Sequence, residues 1–258
     1  MAIAAAVLAG GTTKGELREA CGVTETALIA LAGRPMGRYV VDALARTSQV
    51  DDVVIVAPAG SEVARSEWPG ARTVTSAGGR MIDSIAAAAK VLADRDMILV
   101  AACDMPLVTP EALAHLSDAA LAADVDCCYS MVERRVLEAR YPGSQRTWVR
   151  LRDGVFTGGN VVALRPSFVL ERREVIERAF SLRKRPLRLA RMLGFGLVIA
   201  VLLGLASSDR VAARASEILD CTVAVVKSPY AEIGIDVDKP SDLEFVKRVL
   251  GTYASPDG

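Results

Sequence analysis

AIAAAVLAGGTTK, Ala2 to Lys14, carries the first decision about this chain. Eight apolar residues run without polar alternation, then stop on Gly10-Gly11 and a polar, cationic stretch. Such a run reads as a strand buried on both faces, as in parallel sheets covered by helices. The diglycine after it has three readings: a plain turn, a dinucleotide-binding loop or a triphosphate-binding loop. Glycine lets the backbone approach an oligophosphate, and successive N–H groups can form an anion-binding concavity. Lys14 and Arg18 stand ready to add positive charge. A dinucleotide loop needs G-x-G-x-x-G opening a helix, whereas here the glycines are Gly10, Gly11 and Gly15. No GK[ST] closes a Walker loop either. The turn and the triphosphate cradle both stay open on these residues alone.

Working outward, strands and helices alternate. RPMGRYVVDALART has helical spacing, with Met36, Val40, Val41 and Leu44 on one side. DVVIVA (52–57) and ARTVT (71–75) read as short strands, and a helix is expected in RMIDSIAAAAKVLAD. MILVAA (97–102) is a continuous apolar run ending at Cys103-Asp104. TPEALAHLSDAALAA opens as a helix should, with Thr109 as N-cap, Pro110 in the first turn and Glu111 near the positive helix end. Short connections between alternating elements imply an α/β fold with a mostly parallel sheet covered on both faces. From Asp126 onward the pattern changes. CCYSMV reads as a strand, and RTWVRLRDGVF alternates like an antiparallel ribbon turning near Asp153-Gly154. Helical segments follow in PSFVLERREVIERAF and RPLRLARMLGFGLVIAVLLGLA, then a strand, TVAVVK, and a last helix opened by Pro240 and Asp242.

The composition excludes several function classes. The 258 residues carry 31 basic and 31 acidic groups, so nothing draws the whole chain toward nucleic acid. Five cysteines without a CxxC suggest neither a disulfide framework nor a zinc knuckle, and a reducing cytoplasm is the simplest setting. The single histidine, His115, sits in an apolar helical pattern and reads as structural. The N-terminus lacks the pattern of a signal peptide. LGFGLVIAVLLGLA (193–206) has 14 uncharged residues, short of the roughly 18 to 20 that span a bilayer. It reads as a buried helix, a dimer interface or a peripheral membrane contact. An amphiphilic substrate is a further reading of this apolar region.

In an open parallel sheet, ligands bind beyond the carboxyl ends of the strands. Three polar clusters follow apolar strands here: GGTTK, CDMP and GIDVDKP. Pro106 forces the chain out of the sheet just after Asp104. A carboxylate placed there suits Mg²⁺, which takes one or two protein carboxylates and completes its octahedron with water and phosphates. It equally suits an aspartate that satisfies loop N–H groups. Asp236 and Asp238 share a face of an extended segment and can meet a metal together. Their alternative role is helix-start capping, which fits Asp242 better.

Together these clusters resemble the MobA-like NTP transferases, relatives of the molybdenum-cofactor guanylyltransferases. LAGG (8–11), AGRPM (32–36), ACDMPLVTPEAL (102–113), TGGN (157–160) and IDVDKPSDLE (235–244) occur in the family's order over nearly the whole chain. The resemblance implies one nucleotidyltransferase domain with a Rossmann-like three-layer α/β sandwich of the nucleotide-diphospho-sugar transferase type. It implies a nucleotide-binding half (1–125) and an acceptor-side half (126–230) with a β-ribbon and a hydrophobic helical insertion (186–220). A closing metal segment and helix (231–250) complete the domain. It further implies that Leu8, Ala9, Gly10 and Gly11 wrap the phosphates of an NTP, that Lys14 and Arg18 offset charge, and that Gly79 and Asp83 lie near base and ribose. Asp104, with Asp236 and Asp238, would hold Mg²⁺, and Gly159 and Asn160 would face a small phosphorylated acceptor. Relatives suggest molybdopterin, a sugar phosphate, a cobinamide phosphate, a phospholactate-like acid or a polyol phosphate as that acceptor. One departure stands out. The family's lysine after the first loop falls near Thr26, with Glu25 beside it. Loss of that cation removes a charge-assisted contact. It leaves three readings: Lys14 or Arg18 substitutes from a re-shaped loop, the nucleotide takes another pose, or the chain is a non-catalytic nucleotide-sensing module of the same fold.

Overall fold

The computed structural model describes residues 2–182, 192 and 194–254. Its frame is a sheet of eight strands. Strand β1 (Ile3–Leu8) lies in the middle, between β4 (Val50–Pro58) and β6 (Met97–Ala102), and is parallel to both. β5 (Arg72–Ser76) extends the sheet beyond β4, also parallel. On the other side come β9 (Gly154–Leu164), β7 (Cys127–Glu133) and β10 (Val223–Ser228), and β8 (Val149–Leu151) pairs with β9. β9 is antiparallel to both its neighbours, β6 and β7, and β7 and β10 run parallel to each other. The sheet is therefore mostly parallel, as the unbroken apolar runs imply. A separate two-stranded ribbon pairs β2 (Ala30–Leu31) with β3 (Arg34–Pro35).

Period-two alternation sends each strand's side chains into two cores. Ile3, Ala5 and Val7 join Val53, Ile55 and Ala57 against helices α2 (Met36–Ala45) and α5 (Pro110–Ala123). Ala4 and Ala6 join Val54 and Val56 on the opposite face. There they meet α4 (Met81–Val91), α7 (Pro166–Glu171) and α8 (Arg173–Leu182) through Ile85, Ala89, Phe168 and Ile176. The small side chains of β1 let both helical layers approach the central strand closely. The result is helix, sheet, helix: a three-layer α/β sandwich. A third core, with Leu17, Ile29, Met36, Leu137, Ile235 and Val246, joins the loops that leave the strands to the closing segment.

Local signals placed most elements. Thr109 caps α5, its hydroxyl accepting from the Ala112 N–H at 3.3 Å, a contact worth about 1 kcal/mol. The ribbon turns at Arg152-Asp153, and Gly154 follows with φ of 148°. Three helices lacked a periodic signal: α1 (Gly15–Cys21), α3 (Glu62–Arg65) and α6 (Arg134–Arg140), each burying a single residue. The segment read as one helix from Pro166 is two, separated at Arg172. In the expected insertion, 183–191 and 193 lie outside the described residues. The described part holds α9 (Phe195–Leu202) and α10 (Ser208–Leu219), ahead of the closing helix α11 (Pro240–Ala254). His115 packs its ring edge-on to Tyr230 at 5.7 Å, a structural contact. Cys128 is buried in β7, where loss of solvent pushes its thiol up to about 11.

Candidate active site

Register brings the first two clusters side by side. Leu8 at the end of β1 pairs with Ala102 at the end of β6, so the loops after them leave the sheet together. β1 is also where the strand order reverses, since β4 and β6 flank it on opposite sides. That is the switch point at which open α/β sheets bind ligands.

The first loop is held as a narrow hairpin. The Ala9 N–H donates to the Val56 carbonyl at 2.8 Å, which anchors its base. Thr12 bridges to Glu25, the Thr13 N–H donates to Thr24, and the Thr26 N–H donates to the Gly11 carbonyl. A Cβ on Gly11 would sit 3.4 Å from the Thr26 hydroxyl oxygen, and one on Gly10 would sit 3.5 Å from Pro58. Thr26 thus occupies the position beside the diglycine where the family's lysine is expected, and it is buried. Glu25 points elsewhere: its carboxylate accepts from the Glu62 and Val63 N–H groups, each at 2.8 Å, and caps α3. Lys14 and Arg18 are exposed on and just after the loop, and Arg18 reaches the Thr24 hydroxyl at 3.4 Å.

The third cluster joins the second directly. The Val237 N–H donates to the Asp104 carbonyl at 3.0 Å. Carboxylate oxygens of Asp104, Asp236 and Asp238 all lie within 4.8 Å of one another. Asp104 Oδ1 is buried and has no hydrogen-bond partner, although an edge of the residue stays accessible. Loss of solvent, followed by repulsion from Asp236 and Asp238, raises the Asp104 carboxyl to about 7. Burial also raises Asp236, against the opposing pull of Arg146, which pairs with its carboxylate. Asp242 plays the capping part. Its carboxylate accepts from the Asp238 and Lys239 N–H groups at 3.2 and 3.0 Å. An orphaned buried carboxylate oxygen among three converging carboxylates fits a hard, oxygen-seeking cation such as Mg²⁺.

A cleft of about 400 Å³ opens beside this cluster. Asp236, Asp238, Asn160 and Gly158 line it, as do Arg146 and Lys239. The Asn160 amide also reaches the Ile233 carbonyl at 3.5 Å. Gly159 does not line the cleft. A Cβ there would fall 2.1 Å from the Ser130 hydroxyl and 2.6 Å from Ile233, so that glycine serves close packing between β7 and the closing segment. Arg146 and Lys239 went unnoticed in the sequence. Arg146 stands in the irregular stretch YPGSQRTW, and only its approach to Asp236 reveals it.

Asp83 lies in a different group. It pairs with Arg80 at 2.9 Å and with Arg173 at 2.7 Å, and the Arg80 hydrogen bond holds its carboxyl below the usual range. Gly78, not Gly79, is the tight position beside it: a Cβ on Gly78 would lie 2.1 Å from the Asp83 carboxylate, while Gly79 faces open space.

The MobA-like NTP transferase domain matches residues 5–179. The chain belongs to this family. It is accordingly a transferase of the nucleotidyltransferase class. A hypothetical transferase from Thermus thermophilus is 35% identical, with TM-score 0.79, covering 94% of this chain and 100% of its own. CMP:2-keto-3-deoxy-manno-octonic acid synthetase complexed with CTP is 14% identical, with TM-score 0.63, covering 98% and 100% of the two chains. The 4-diphosphocytidyl-2C-methyl-D-erythritol synthase of Anaerococcus prevotii is 13% identical, with TM-score 0.57, covering 97% and 96%. The last two share the MobA-like fold. No curated protein matches the sequence. The match to the family ends before the closing segment, so Asp236 and Asp238 lie beyond it.

Proposed function

We propose that this MobA-like transferase moves a nucleoside monophosphate from a Mg²⁺-bound NTP to a small phosphorylated acceptor. A phosphate oxygen of the acceptor attacks the α-phosphorus, the α–β phosphoanhydride bond breaks, and pyrophosphate leaves. The observation that carries this reading is the Asp104, Asp236 and Asp238 cluster with its unpartnered buried oxygen, at the switch point of the sheet. These three residues would hold Mg²⁺, which supplies charge neutralisation at the transferring phosphate. The chain's own part is positioning. Leu8 and Ala9 anchor the hairpin, and the bare backbone of Gly10 and Gly11 admits the phosphates. Lys14 and Arg18 stand in for the family's lysine from the same loop. Arg146 and Lys239 offset charge in the cleft, where Asn160 meets the acceptor. Transfers of this kind need alignment and charge stabilisation more than covalent chemistry. Five free cysteines suit a reducing cytoplasm.

The test is thermal stability with each of the four common NTPs, with and without Mg²⁺, followed by pyrophosphate release with candidate acceptors. A nucleotide at about 100 times its Kd adds about 2.7 kcal/mol. We expect a Mg²⁺-dependent shift with one nucleotide, abolished by Asp104→Ala. No shift with any NTP in folded protein would overturn the reading and leave a non-catalytic module of the same fold.

A further inference from the structure

Three short stretches of sequence wall the cleft beside the carboxylates: QRT (145–147), TGGN (157–160) and GIDVDK (234–239). In GIDVDK, alternation turns Ile235 and Val237 into the third core and leaves Asp236 and Asp238 on the cleft. Among the described residues, every one that lines the cleft is polar, charged or glycine. None of the residues of α9 lines it, so that apolar helix adds no greasy wall. Pockets for flat rings or acyl chains are lined mostly by aromatic and aliphatic side chains. This cleft gives such groups nothing to pack on. It gives hydroxyl groups partners instead, in the side-chain amides of Gln145 and Asn160 and the hydroxyl of Thr157.

Arg146 supplies the second observation. Its side chain is only 9% exposed. The guanidinium pairs with the Asp236 carboxylate and donates to the Asp236 carbonyl at 2.8 Å. Its Nε is left buried without a hydrogen-bond partner. Asp104 Oδ1 is the other such atom of this site. One orphan asks for a cation and the other for an anion. Lys239 lines the same cleft and adds a second positive charge. A phosphate monoester has oxygens enough to take both. Asp236, Asp238 and Asp242 outnumber these two cations, so the anion is best received with Mg²⁺ in place.

We propose that the acceptor is a sugar or polyol phosphate, with its phosphate on Arg146 and Lys239 and its hydroxyls on Gln145, Thr157 and Asn160. The inference rests on the transfer reaction proposed above and narrows it. Of the acceptors that the family resemblance allows, it keeps the sugar and polyol phosphates. It sets aside molybdopterin, cobinamide phosphate and amphiphiles.

The test is calorimetric titration of the full chain in Mg²⁺, with and without unreactive α,β-methylene analogues of the four NTPs. The probes are xylitol 5-phosphate, pentyl phosphate of equal carbon number and charge, and a pterin bearing a phosphate monoester. We expect xylitol 5-phosphate to bind at least about tenfold more tightly than either of the others, because a cleft built for hydroxyls is left unpaired by an analogue that lacks them. Thr157→Val should narrow that preference. Arg146→Gln should weaken both alkyl-chain phosphates about tenfold and leave their ratio unchanged, with Arg146→Lys recovering part of the loss. Equal binding of pentyl and xylitol phosphates would overturn the proposal, as would tighter binding of the pterin or no binding of any probe. The wild-type comparison decides this even if a variant fails to fold. An NTP-dependent stability shift without xylitol 5-phosphate binding sinks this inference alone. Selective binding of xylitol 5-phosphate without any NTP shift sinks the transfer reaction and leaves the polyol phosphate site standing.

Discussion

Asp104→Asn should make the metal-free protein more stable, and Mg²⁺ should take back most of that lead. In the folded chain the Asp104 carboxyl is raised to about 7, by loss of solvent first and by Asp236 and Asp238 next. An unfolded carboxylate titrates near 3.8. Below that value both states hold the proton and the residue is neutral for stability. Between the two values the unfolded state gives up the proton and the folded state keeps it, so stability falls as pH rises, and above about 7 the loss is complete. The displacement is about three pH units at about 1.4 kcal/mol each, which sets a ceiling of about 4 kcal/mol. For a chain of this size that is up to roughly ten degrees in Tm. Asparagine cannot ionise and escapes this cost. Melting curves in EDTA from about pH 4 to about pH 8 should therefore show the variant pulling ahead across that range. Saturating Mg²⁺ should narrow that lead, since only the wild type gains the metal's binding energy, about 2.7 kcal/mol at 100 times Kd. Parallel pH profiles in EDTA, with equal stabilisation of both proteins by Mg²⁺, would refute a shared carboxylate site.

Two further outcomes follow from packing and charge. Gly159→Ala should destabilise the fold by about 1–3 kcal/mol in urea titration, because its Cβ would meet the Ser130 hydroxyl at 2.1 Å. Asp153→Asn should cost stability at neutral pH and lose that deficit in acid. Desolvation raises the Asp153 carboxyl, but Lys227 and Ser208 outweigh it and hold the group below its usual range. Its stabilising contribution is present above about 4 and fades as pH falls through the folded value, so the two melting profiles should converge there.

The frame of the sheet was legible because its signals are local. Met97–Ala102 is a continuous apolar run with Pro106 close behind, and it forms a strand over those same residues. Thr109 and Pro110 announce α5 by themselves. Helix α1 gave no such sign, since GELREAC buries only Leu17 and owes its shape to the loop it closes. In the site, Asp104, Asp236 and Asp238 could be singled out by their place beyond strand ends, but loop and capping roles fitted the same letters, and only their convergence in space separates a shared site from those. Arg146 could not, because its meaning comes from a partner far along the chain. Gly78 and Gly79 look alike as letters, and only the Asp83 carboxylate pressing on one of them tells them apart.

The bond from Val237 to Asp104 ties the middle of the chain to its closing segment. Contacts so distant in sequence are slow to find, and the sheet around β1 can pair without this one. Asp104 is thus far from Asp236 and Asp238 until the closing segment docks, and its repulsion with that pair arises only in that step. A divalent cation in the medium would lower that barrier as well as stabilise the product. Refolding speed, and not only final stability, then becomes a property of the surrounding ions, with the last segment waiting on a charge that the polypeptide itself does not supply.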